Sequence, residues 1–467
     1  MTQAEPAERR PSHSLPALLF GFEAPVNAKT YAVAGFSLMA LKYAVDATAI
    51  HLATQKFWTP LDYLSPLLAA RHQHFGNDHD LLQLALLAWT LPFVWIGASM
   101  TMRRAADANV PPLIGALFFF APLFNYVWML LLCLLPTVRR APSTRRADSS
   151  TGIAWTRFAK AVFAAVVVAS LAFATSVLVF RSYGSMVFVG APMLLGATGS
   201  LVYGAAGQRP WKEAALVSIV STVFVSATLL LFAAEGVFCI AMALPLALPM
   251  SLLGGLIGHG ISSLGRPTRA TAAAVPIFWL AASWFEAENA RASPGRATTT
   301  VAVAAPRETV WKHVVSFSEL PPPEEFYFRL GIAYPLRARI RGSGVGAVRH
   351  CEFSTGPFVE PITTWDEPAH LAFDVVAEPA ALEELSPYDE LAPPHLDGFF
   401  SSRRGEFRLH ATDSGTQLDG TTWYELQLEP APYWRLWTDA LVHRIHARVL
   451  DHVRSLAEAD VGPDSKR

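Results

Sequence analysis

Cysteine and charge are both scarce in this chain. Its 467 residues include only three cysteines, at the widely separated positions Cys133, Cys239 and Cys351. An odd number of scattered cysteines excludes a disulfide framework and a zinc site made of cysteines alone. Charged side chains make up 16% of the residues and the formal net charge is −1, so the chain lacks the positive field that binds nucleic acid. We therefore expect no nucleic-acid partner, and we predict no cofactor.

The chain contains many long hydrophobic runs. Hydrophobic residues account for 52% of the chain and its mean hydropathy is +0.31, which is too apolar for a soluble protein of several domains. We expect a multi-pass protein of the cell membrane, the inner membrane in a bacterium, with membrane lipids as partners. The runs predict seven or eight membrane segments, at 30–53, 81–100, 111–136, 158–180, 183–206, 214–234, 237–257 and 270–285.

Two of these runs leave the topology open. Pro122 and Asn125 interrupt the run at 111–136, which either crosses once or forms a re-entrant hairpin. The run at 270–285 is short, and it either spans the membrane or lies at its interface. The basic loop at 138–157 is predicted to be cytoplasmic because of its many arginines. The C-terminal part is then extracytoplasmic if 270–285 spans and cytoplasmic if it does not.

The sequence pattern changes after a polar linker at 286–297. Residues 298–460 contain short stretches that alternate apolar and polar side chains, such as 423–428, and then one long helical pattern. We predict a multi-domain protein, in which a polytopic α-helical membrane bundle precedes an α+β helix-grip domain. In that domain an antiparallel sheet surrounds a long C-terminal helix, followed by a tail at 461–467. The apolar stripe of the helix consists of Trp434, Trp437, Leu441, Ile445, Val449, Val453 and Leu456.

Residues 298–460 resemble the START-like (SRPBCC) superfamily that includes the polyketide cyclase and dehydrase relatives. The stretches 300–303 and 305–311 resemble the first strand and first helix of that superfamily. The Trp-Asp-Glu-Pro turn at 365–368 and the long terminal helix continue the resemblance. The resemblance implies a helix-grip fold with a cavity for a hydrophobic molecule. Because this superfamily contains lipid carriers, hormone receptors and enzymes, the function has to come from the site.

A second resemblance concerns residues 30–137, which follow a polar N-terminal segment at 1–29. The stretch 103–109, Arg-Arg-Ala-Ala-Asp-Ala-Asn, is similar to the Arg-Arg-x-x-Asp-x-Gly signature of the small bacterial DUF805 membrane proteins. Asn109 stands where that family usually has glycine. The resemblance implies a membrane segment without a known biochemical role. The second helical membrane segment, 158–285, resembles no family that we can name.

The predicted cavity lies between the sheet and the terminal helix. Tyr424 is expected to face it because Leu426 and Leu428 share its face of the strand. The proline-rich segment 378–402 is a candidate lid, with His395 at the cavity mouth. No catalytic residue is predicted, although an inward-facing pair of His350 and Glu352 would favour an enzyme. The candidate ligand-binding residues are Tyr424, Leu426, Trp437, Leu441, Phe373, His350 and Arg404.

Further polar residues suggest chemistry elsewhere. Lys42 and Asp46 are one helical turn apart in the first membrane segment, where they form either an ion or proton relay or a pair that neutralises itself. His443 and His446 are predicted at exposed or boundary positions of the terminal helix. A loop before the second segment is favoured as a helix-capping loop over a metal site. Its weak candidates for metal ligands are His72, His74, Asp78 and His79.

These observations predict a membrane-anchored protein that binds, transfers or senses a hydrophobic molecule, most simply a lipid. An alternative is a membrane-tethered enzyme of the cyclase or dehydratase kind, which would need a titratable pair inside the cavity. A second alternative is a small-solute permease, in which Lys42 and Asp46 would line a path with other polar groups.

Overall fold

The N-terminal half of the chain is entirely helical where it is described. The computed structural model describes residues 14–21, 25–64, 80–110, 122–137, 155–205, 207, 209–232, 234–265, 269–385, 394–396 and 398–462. The local sequence explains where some helices begin. For example, the side chain of Asn27 accepts a hydrogen bond from the amide of Thr30 at 2.8 Å and so caps the helix that follows. The helices are α1 (Leu15–Phe20), α2 (Ala28–Thr54), α3 (Asp80–Asp107), α4 (Pro122–Leu134), α5 (Trp155–Ala174), α6 (Ala191–Gly204), α7 (Trp211–Leu231), α8 (Val237–Leu264) and α9 (Arg269–Glu288).

Five of the described helical stretches are long and apolar enough to cross a membrane. The predicted segments 81–100 and 270–285 are helical as well, within α3 and α9. Helix α4 begins at Pro122, and 111–121 lies outside the described residues, so the re-entrant hairpin stays a prediction. The five stretches are Ala28–Thr54, Arg157–Val179, Met186–Gly204, Trp211–Leu231 and Val237–Leu264. Wider π-helical turns at Thr175–Val179 and Met186–Gly190 extend α5 and precede α6.

The C-terminal part is a seven-stranded antiparallel sheet with helices, an architecture consistent with the predicted helix-grip fold. The strands pair in the order β1-β7-β6-β5-β4-β3-β2. Three helices belong to it, α10 (Arg307–Val315), α11 (Phe326–Arg329) and α12 (Ala431–Val461). The strands are β1 (Ser293–Val303), β2 (Pro335–Arg341), β3 (Val348–Phe353), β4 (Gly356–Asp366), β5 (His370–Asp374), β6 (Phe400–Thr412) and β7 (Gly415–Leu426).

Two secondary-structure boundaries of this domain differ from the predicted segment bounds. The linker expected at 286–297 is shorter, because α9 continues to Glu288 and β1 begins at Ser293. The reason is pairing, since Ser293 lies opposite Leu426 of β7 and the ladder continues from there to Val303. The terminal helix includes Val461, which had been assigned to the tail.

Helix α12 packs on one face of the sheet and closes the core. Trp434, Val449 and Val453 are buried as predicted. Leu441 is only half-buried, whereas its neighbour Val442 is buried. The buried face is wider than the predicted stripe because α12 contacts both the sheet and α10. Its other buried members are Ala431, Leu450 and Ala457.

The chain folds into two compact units. The first contains Met1–Ser170, Leu195–Ala234 and Ser251–Thr268. The second contains Leu171–Leu194, Glu235–Met250 and Arg269–Arg467, so the sheet domain shares a unit with the beginning of α8 and with the residues around Tyr183.

Candidate functional site

Tyr424 and Leu426 lie on the helix-facing side of the sheet, as their strand position predicts. Both are about 1% exposed, and they pack with Trp434 of α12 and with Met242. The hydroxyl of Tyr424 donates a hydrogen bond to the carboxylate of Asp439 on the same helix. Trp437 is half-buried in this cluster. These side chains therefore form part of the packed contact between sheet and helix.

Two of the predicted cavity residues lie on the opposite face of the sheet. Arg404 is 45% exposed, and its guanidinium lies 5.2 Å from the centre of the Trp423 ring. His350 lines an open groove of the outer face together with Glu352, Arg339 and Arg341. Because side chains alternate along a strand, the inward positions next to His350 are Arg349 and Cys351. His350 and Glu352 therefore do not form the inward-facing pair that would favour an enzyme.

A different pair lies inside the domain, and we call Arg349 and Glu360 the interior ion pair. Arg349 of β3 is 2% exposed and Glu360 of β4 is 5% exposed, and the two residues are paired across the ladder. Their guanidinium and carboxylate are in direct contact. Burial raises the pKa of Glu360, and the neighbouring Arg349 opposes that rise.

Aromatic rings enclose the guanidinium of the interior ion pair. Its central carbon lies 5.6 Å, 5.4 Å and 5.6 Å from the ring centres of Phe317, Phe373 and Phe407. Phe373 is one of the predicted cavity residues, and it does face inward. The Nε of Arg349 is buried without a hydrogen-bond partner among the described residues. Such distances allow cation–π attraction, but they leave one polar donor of the guanidinium unused.

The interior ion pair was missed in the sequence, although a signal was present. Arg349 has the same strand parity as Cys351 and Phe353, which are both apolar and which both contribute to the core. This parity places Arg349 inside. Burial also raises the pKa of the neighbouring Cys351 thiol to about 12, which keeps this thiol protonated.

A second group of polar side chains gathers in the same compact unit, where α8 begins. We call Tyr183, Glu235, Cys239, Glu384 and His395 the junction cluster. Tyr183 donates a hydrogen bond from its hydroxyl to Oε1 of Glu235 at 2.8 Å. The other oxygen, Oε2, lies 3.2 Å from Nδ1 of His395. Nε2 of His395 lies 2.8 Å from the sulfur of Cys239.

Glu384 completes the junction cluster by capping α8. Its carboxylate accepts from the amides of Phe238 and Cys239 at 3.3 Å and 3.2 Å, while the carbonyl of Leu385 accepts from the amide of Val237 at 3.0 Å. Carboxylates are favourable at this positive end of a helix. The described part of the predicted lid thus contacts the beginning of α8 through Glu384, Leu385 and His395. Residues 386–393 and 397 of the lid lie outside the described residues.

The charges of the junction cluster influence one another. Burial raises the pKa of Glu384 and of Tyr183, with Glu235 adding to the rise for the phenol. Burial by itself would lower the pKa of His395, but Glu235 and Glu384 outweigh it, so the pKa of this imidazole is raised. The two carboxylates therefore favour the charged form of this imidazole more than water does.

Sulfur, imidazole and carboxylate stand in the order of a nucleophile, its base and the acid that orients the base. That order is found in thiol acyl-transfer enzymes. Here, however, the helix amides beside Cys239 donate to Glu384, so they are not available to stabilise a thiolate or an oxyanion. One donor atom from each of Glu235, Cys239 and His395 also lies within 4.8 Å of the others, as in a metal site.

Lys42 and Asp46 of α2 form a closed group with neighbouring aromatic residues. Lys42 contacts the carboxylate of Asp46, and Tyr63 donates a hydrogen bond to the same oxygen at 2.6 Å. The ammonium also lies 5.3 Å and 5.9 Å from the ring centres of Tyr63 and Phe93. This is the self-neutralising arrangement, and its function stays a prediction. The weak metal candidates His72, His74, Asp78 and His79 lie outside the described residues.

The paired arginines of the Arg-Arg-x-x-Asp stretch have a structural role. Arg104 is fully buried, donates from Nε to the carbonyl of Leu132 at 2.9 Å, and also contacts the carbonyl of Leu135 and the carboxylate of Asp107. Arg103 donates to the carbonyl of Ser99 at 3.3 Å. Because Arg104 satisfies carbonyls at the end of α4, it behaves as a capping residue.

The two histidines of the terminal helix lie where helical spacing predicted them. His443 is exposed and His446 is half-buried at the boundary. Both ring nitrogens of His446 contact threonine hydroxyls of the sheet.

Comparisons with known proteins found solved structures that are similar to part of this chain. No protein-family model and no curated protein matches the chain, so the resemblance of residues 30–137 to DUF805 is unsupported. A norcoclaurine synthase point mutant from Thalictrum flavum, in complex with a transition-state analogue, is 12% identical, has a TM-score of 0.25, and covers 37% of this chain and 99% of its own.

Two further solved structures are similar to part of the chain. The di-domain ARO/CYC StfQ from the steffimycin biosynthetic pathway is 11% identical, has a TM-score of 0.26, and covers 43% of this chain and 63% of its own. The AHSA1-like protein from Aeromonas hydrophila is 12% identical, has a TM-score of 0.23, and covers 36% of this chain and 94% of its own.

Proposed function

We propose that apolar helices anchor this protein in the cell membrane and that its helix-grip domain binds a hydrophobic molecule with one polar group, in the first instance a lipid. The five helical stretches with the length and composition to cross a bilayer support the anchor. A tethered domain works beside a reservoir of apolar molecules. Such a tether would keep the domain close to membrane lipids, which it would bind, transfer or sense.

The interior ion pair is the observation that carries this proposal. Arg349 keeps an unused Nε–H inside the aromatic enclosure. A buried donor without an acceptor costs about 1–3 kcal/mol, so a ligand oxygen that accepts from Nε gains that energy on binding. The rings of Phe317, Phe373 and Phe407 offer apolar surface to the rest of the ligand. An apolar body with one oxygen acceptor satisfies both features.

A structural role of the interior ion pair is the competing explanation, and a double replacement separates the two. Removing one partner of a buried pair destabilises a protein, whereas apolar residues in place of both are often neutral or stabilising. We therefore expect Arg349→Met with Glu360→Met to leave the domain folded and to weaken binding of a fluorescent fatty-acyl probe at least tenfold, since a hydrogen bond to a charged group is worth about 1.5–3 kcal/mol.

The matched control is a partly exposed ion pair between β3 and its other neighbour, β2. Arg337 and Glu352 are 2.5 Å apart on β2 and β3, and their side chains are 35% and 28% exposed. Arg337→Met with Glu352→Met should leave probe binding unchanged. Probe titrations on the full chain in nanodiscs, with mass spectrometry of co-purified molecules, measure both variants. If the wild-type chain takes up no apolar probe, or if the interior variant binds as well as the wild type, the proposal is wrong.

The same pair favours one second candidate, an enzyme of the cyclase or dehydratase kind. Burial raises the pKa of Glu360, which suits a carboxyl group that transfers a proton. An enzyme would convert a bound molecule, and Glu360→Gln would abolish the conversion while binding persists. A carrier would release the bound molecule chemically unchanged.

A further inference from the structure

The junction cluster has the composition of a metal site, and the proposed ligand binding does not use it. It combines a thiol, an imidazole and carboxylates, which are the donors that zinc prefers in proteins. Glu235 lies two residues before α8, Cys239 lies in the first turn of that helix, and His395 comes from a distant part of the chain. Side chains from two separate segments therefore converge on one buried point.

Two contacts around the cluster orient its donors. Tyr183 holds Oε1 of Glu235, which leaves Oε2 directed at His395. Nδ1 of His395 is buried and makes no hydrogen bond, because its 3.2 Å contact with Oε2 lacks hydrogen-bond geometry. Nε2 of His395, which lies beside the sulfur of Cys239, is the ring nitrogen that binds the ion after it loses its proton, and Nδ1 keeps its contact with Oε2. A tyrosine that fixes a coordinating carboxylate is typical of the outer shell of metal sites.

We propose that Cys239, His395 and Glu235 bind a zinc ion that fastens residues 394–396 to the beginning of α8. Three protein ligands leave a fourth position for water or for a polar group of a bound molecule. Zinc lies about 2.3 Å from sulfur and about 2.0 Å from nitrogen, which separates tetrahedral ligands by about 3.5 Å. The sulfur of Cys239 and Nε2 of His395 are 2.8 Å apart, so the thiol and the ring move apart by about 0.7 Å when the ion enters.

A thiol nucleophile is the alternative use of these residues, and the capping carboxylate disfavours it. Glu384 takes the two amides that would otherwise stabilise negative charge on sulfur. A metal ion supplies that stabilisation directly, because coordination removes the proton of the thiol. Glu384 then acts as a helix cap beside the metal, in the manner that its hydrogen bonds already show.

Binding of zinc itself is the first test, on the full chain purified in detergent after treatment with a chelator. We expect one zinc ion per chain, and cobalt in its place should show thiolate-to-cobalt charge-transfer absorption. Cys239→Ser, His395→Gln and Glu235→Gln should each weaken zinc binding at least tenfold, and Cys239→Ser should abolish the cobalt band. Tyr183→Phe removes an outer-shell contact and should weaken binding by about tenfold. Cys133→Ser and His410→Gln, at positions outside the cluster, are the matched controls and should bind zinc as the wild type does.

A protection measurement on the wild-type chain covers the case in which a variant fails to fold. Zinc should slow the reaction of Cys239 with a maleimide at least tenfold and leave the reaction of Cys133 unchanged. The proposal is overturned if zinc gives no protection, if the cobalt complex lacks the sulfur band, or if folded Cys239→Ser binds zinc as tightly as the wild type. Probe binding in nanodiscs is measured separately, so failure of this proposal leaves that of lipid binding intact.

Discussion

His446 of α12 lies 2.8 Å from the hydroxyl of Thr422 on β7 through its Nε2. Its Nδ1 lies 3.2 Å from the hydroxyl of Thr299 on β1. A neutral imidazole offers one donor and one acceptor, and two hydroxyls can satisfy both. The terminal helix is thus joined to two neighbouring strands of the sheet by one uncharged ring.

The first prediction is a loss of stability in acid that depends on His446. Burial, with a smaller contribution from the charge of His443, lowers the pKa of His446 to about 4. The unfolded chain binds this proton near pH 6.5 and the folded chain does not, so stability falls as the pH drops from 6.5 to 4. The loss is at most about 3 kcal/mol, and His446→Gln should reduce it. Thermal unfolding of the full chain at several pH values measures it, and the exposed His410→Gln is the control. Equal acid sensitivity of wild type and His446→Gln would contradict the prediction.

The second prediction concerns the carboxylate of Glu286, which accepts from the amides of Ser185 and Met186 at 2.6 Å and 2.8 Å. Glu286→Ala should cost about 1 kcal/mol, as loss of a helix cap does. A side chain at Gly184 would lie 2.3 Å from this carboxylate. Gly184→Ala should therefore displace Glu286 and cost a similar amount, and the double variant should lose little more than either single one.

Gly260→Ala is the control for that comparison, because a Cβ at Gly260 meets nothing within 4 Å. It should be neutral or stabilising in a helix. The thermal midpoints of these four variants are compared with that of the wild type. Fully additive losses would show that Gly184 and Glu286 act independently.

The third prediction is that Asp46→Ala destabilises the N-terminal helices by about 3–5 kcal/mol, because it leaves Lys42 uncompensated. The hydroxyl of Tyr63 also donates its hydrogen bond to this carboxylate. Lys42→Leu with Asp46→Leu and Tyr63→Phe should therefore recover most of the loss, more than the double replacement without the tyrosine. Unfolding in detergent is the measurement. A triple variant that is stable but leaves cells without a transport activity would instead favour the permease.

The fourth prediction concerns Arg104. A lysine keeps the charge beside Asp107 but cannot reach the carbonyls of Leu132 and Leu135 at once. Arg104→Lys should cost about 1–3 kcal/mol for each carbonyl left without a donor. Arg454 is 41% exposed in its pair with Asp451, so Arg454→Lys should change stability by less than about 0.5 kcal/mol. Equal thermal midpoints for the two variants would contradict the structural role of Arg104.

Local periodicity was sufficient for much of the C-terminal fold. Strand alternation predicted the inward direction of Tyr424, Leu426 and Phe373, and helical spacing predicted the burial of Trp434 and Val453. The contact of Lys42 with Asp46 also followed from the sequence, since residues four apart share a helix face. These features depend on backbone geometry that repeats every 2 or about 3.6 residues, so a short stretch contains all the information.

Contacts between residues far apart in the sequence depend on the tertiary structure alone. Arg349 meets Glu360 because β3 and β4 pair in one register, and a shift of β3 by one residue would turn Arg349 outward while Glu360 stayed inside. Cys239 meets His395 across 156 residues, and Tyr183 meets Glu235 across 52. No periodicity links such positions. Their proximity depends on strand order and on where α8 begins against the sheet domain, and a stretch of sequence read by itself does not contain either.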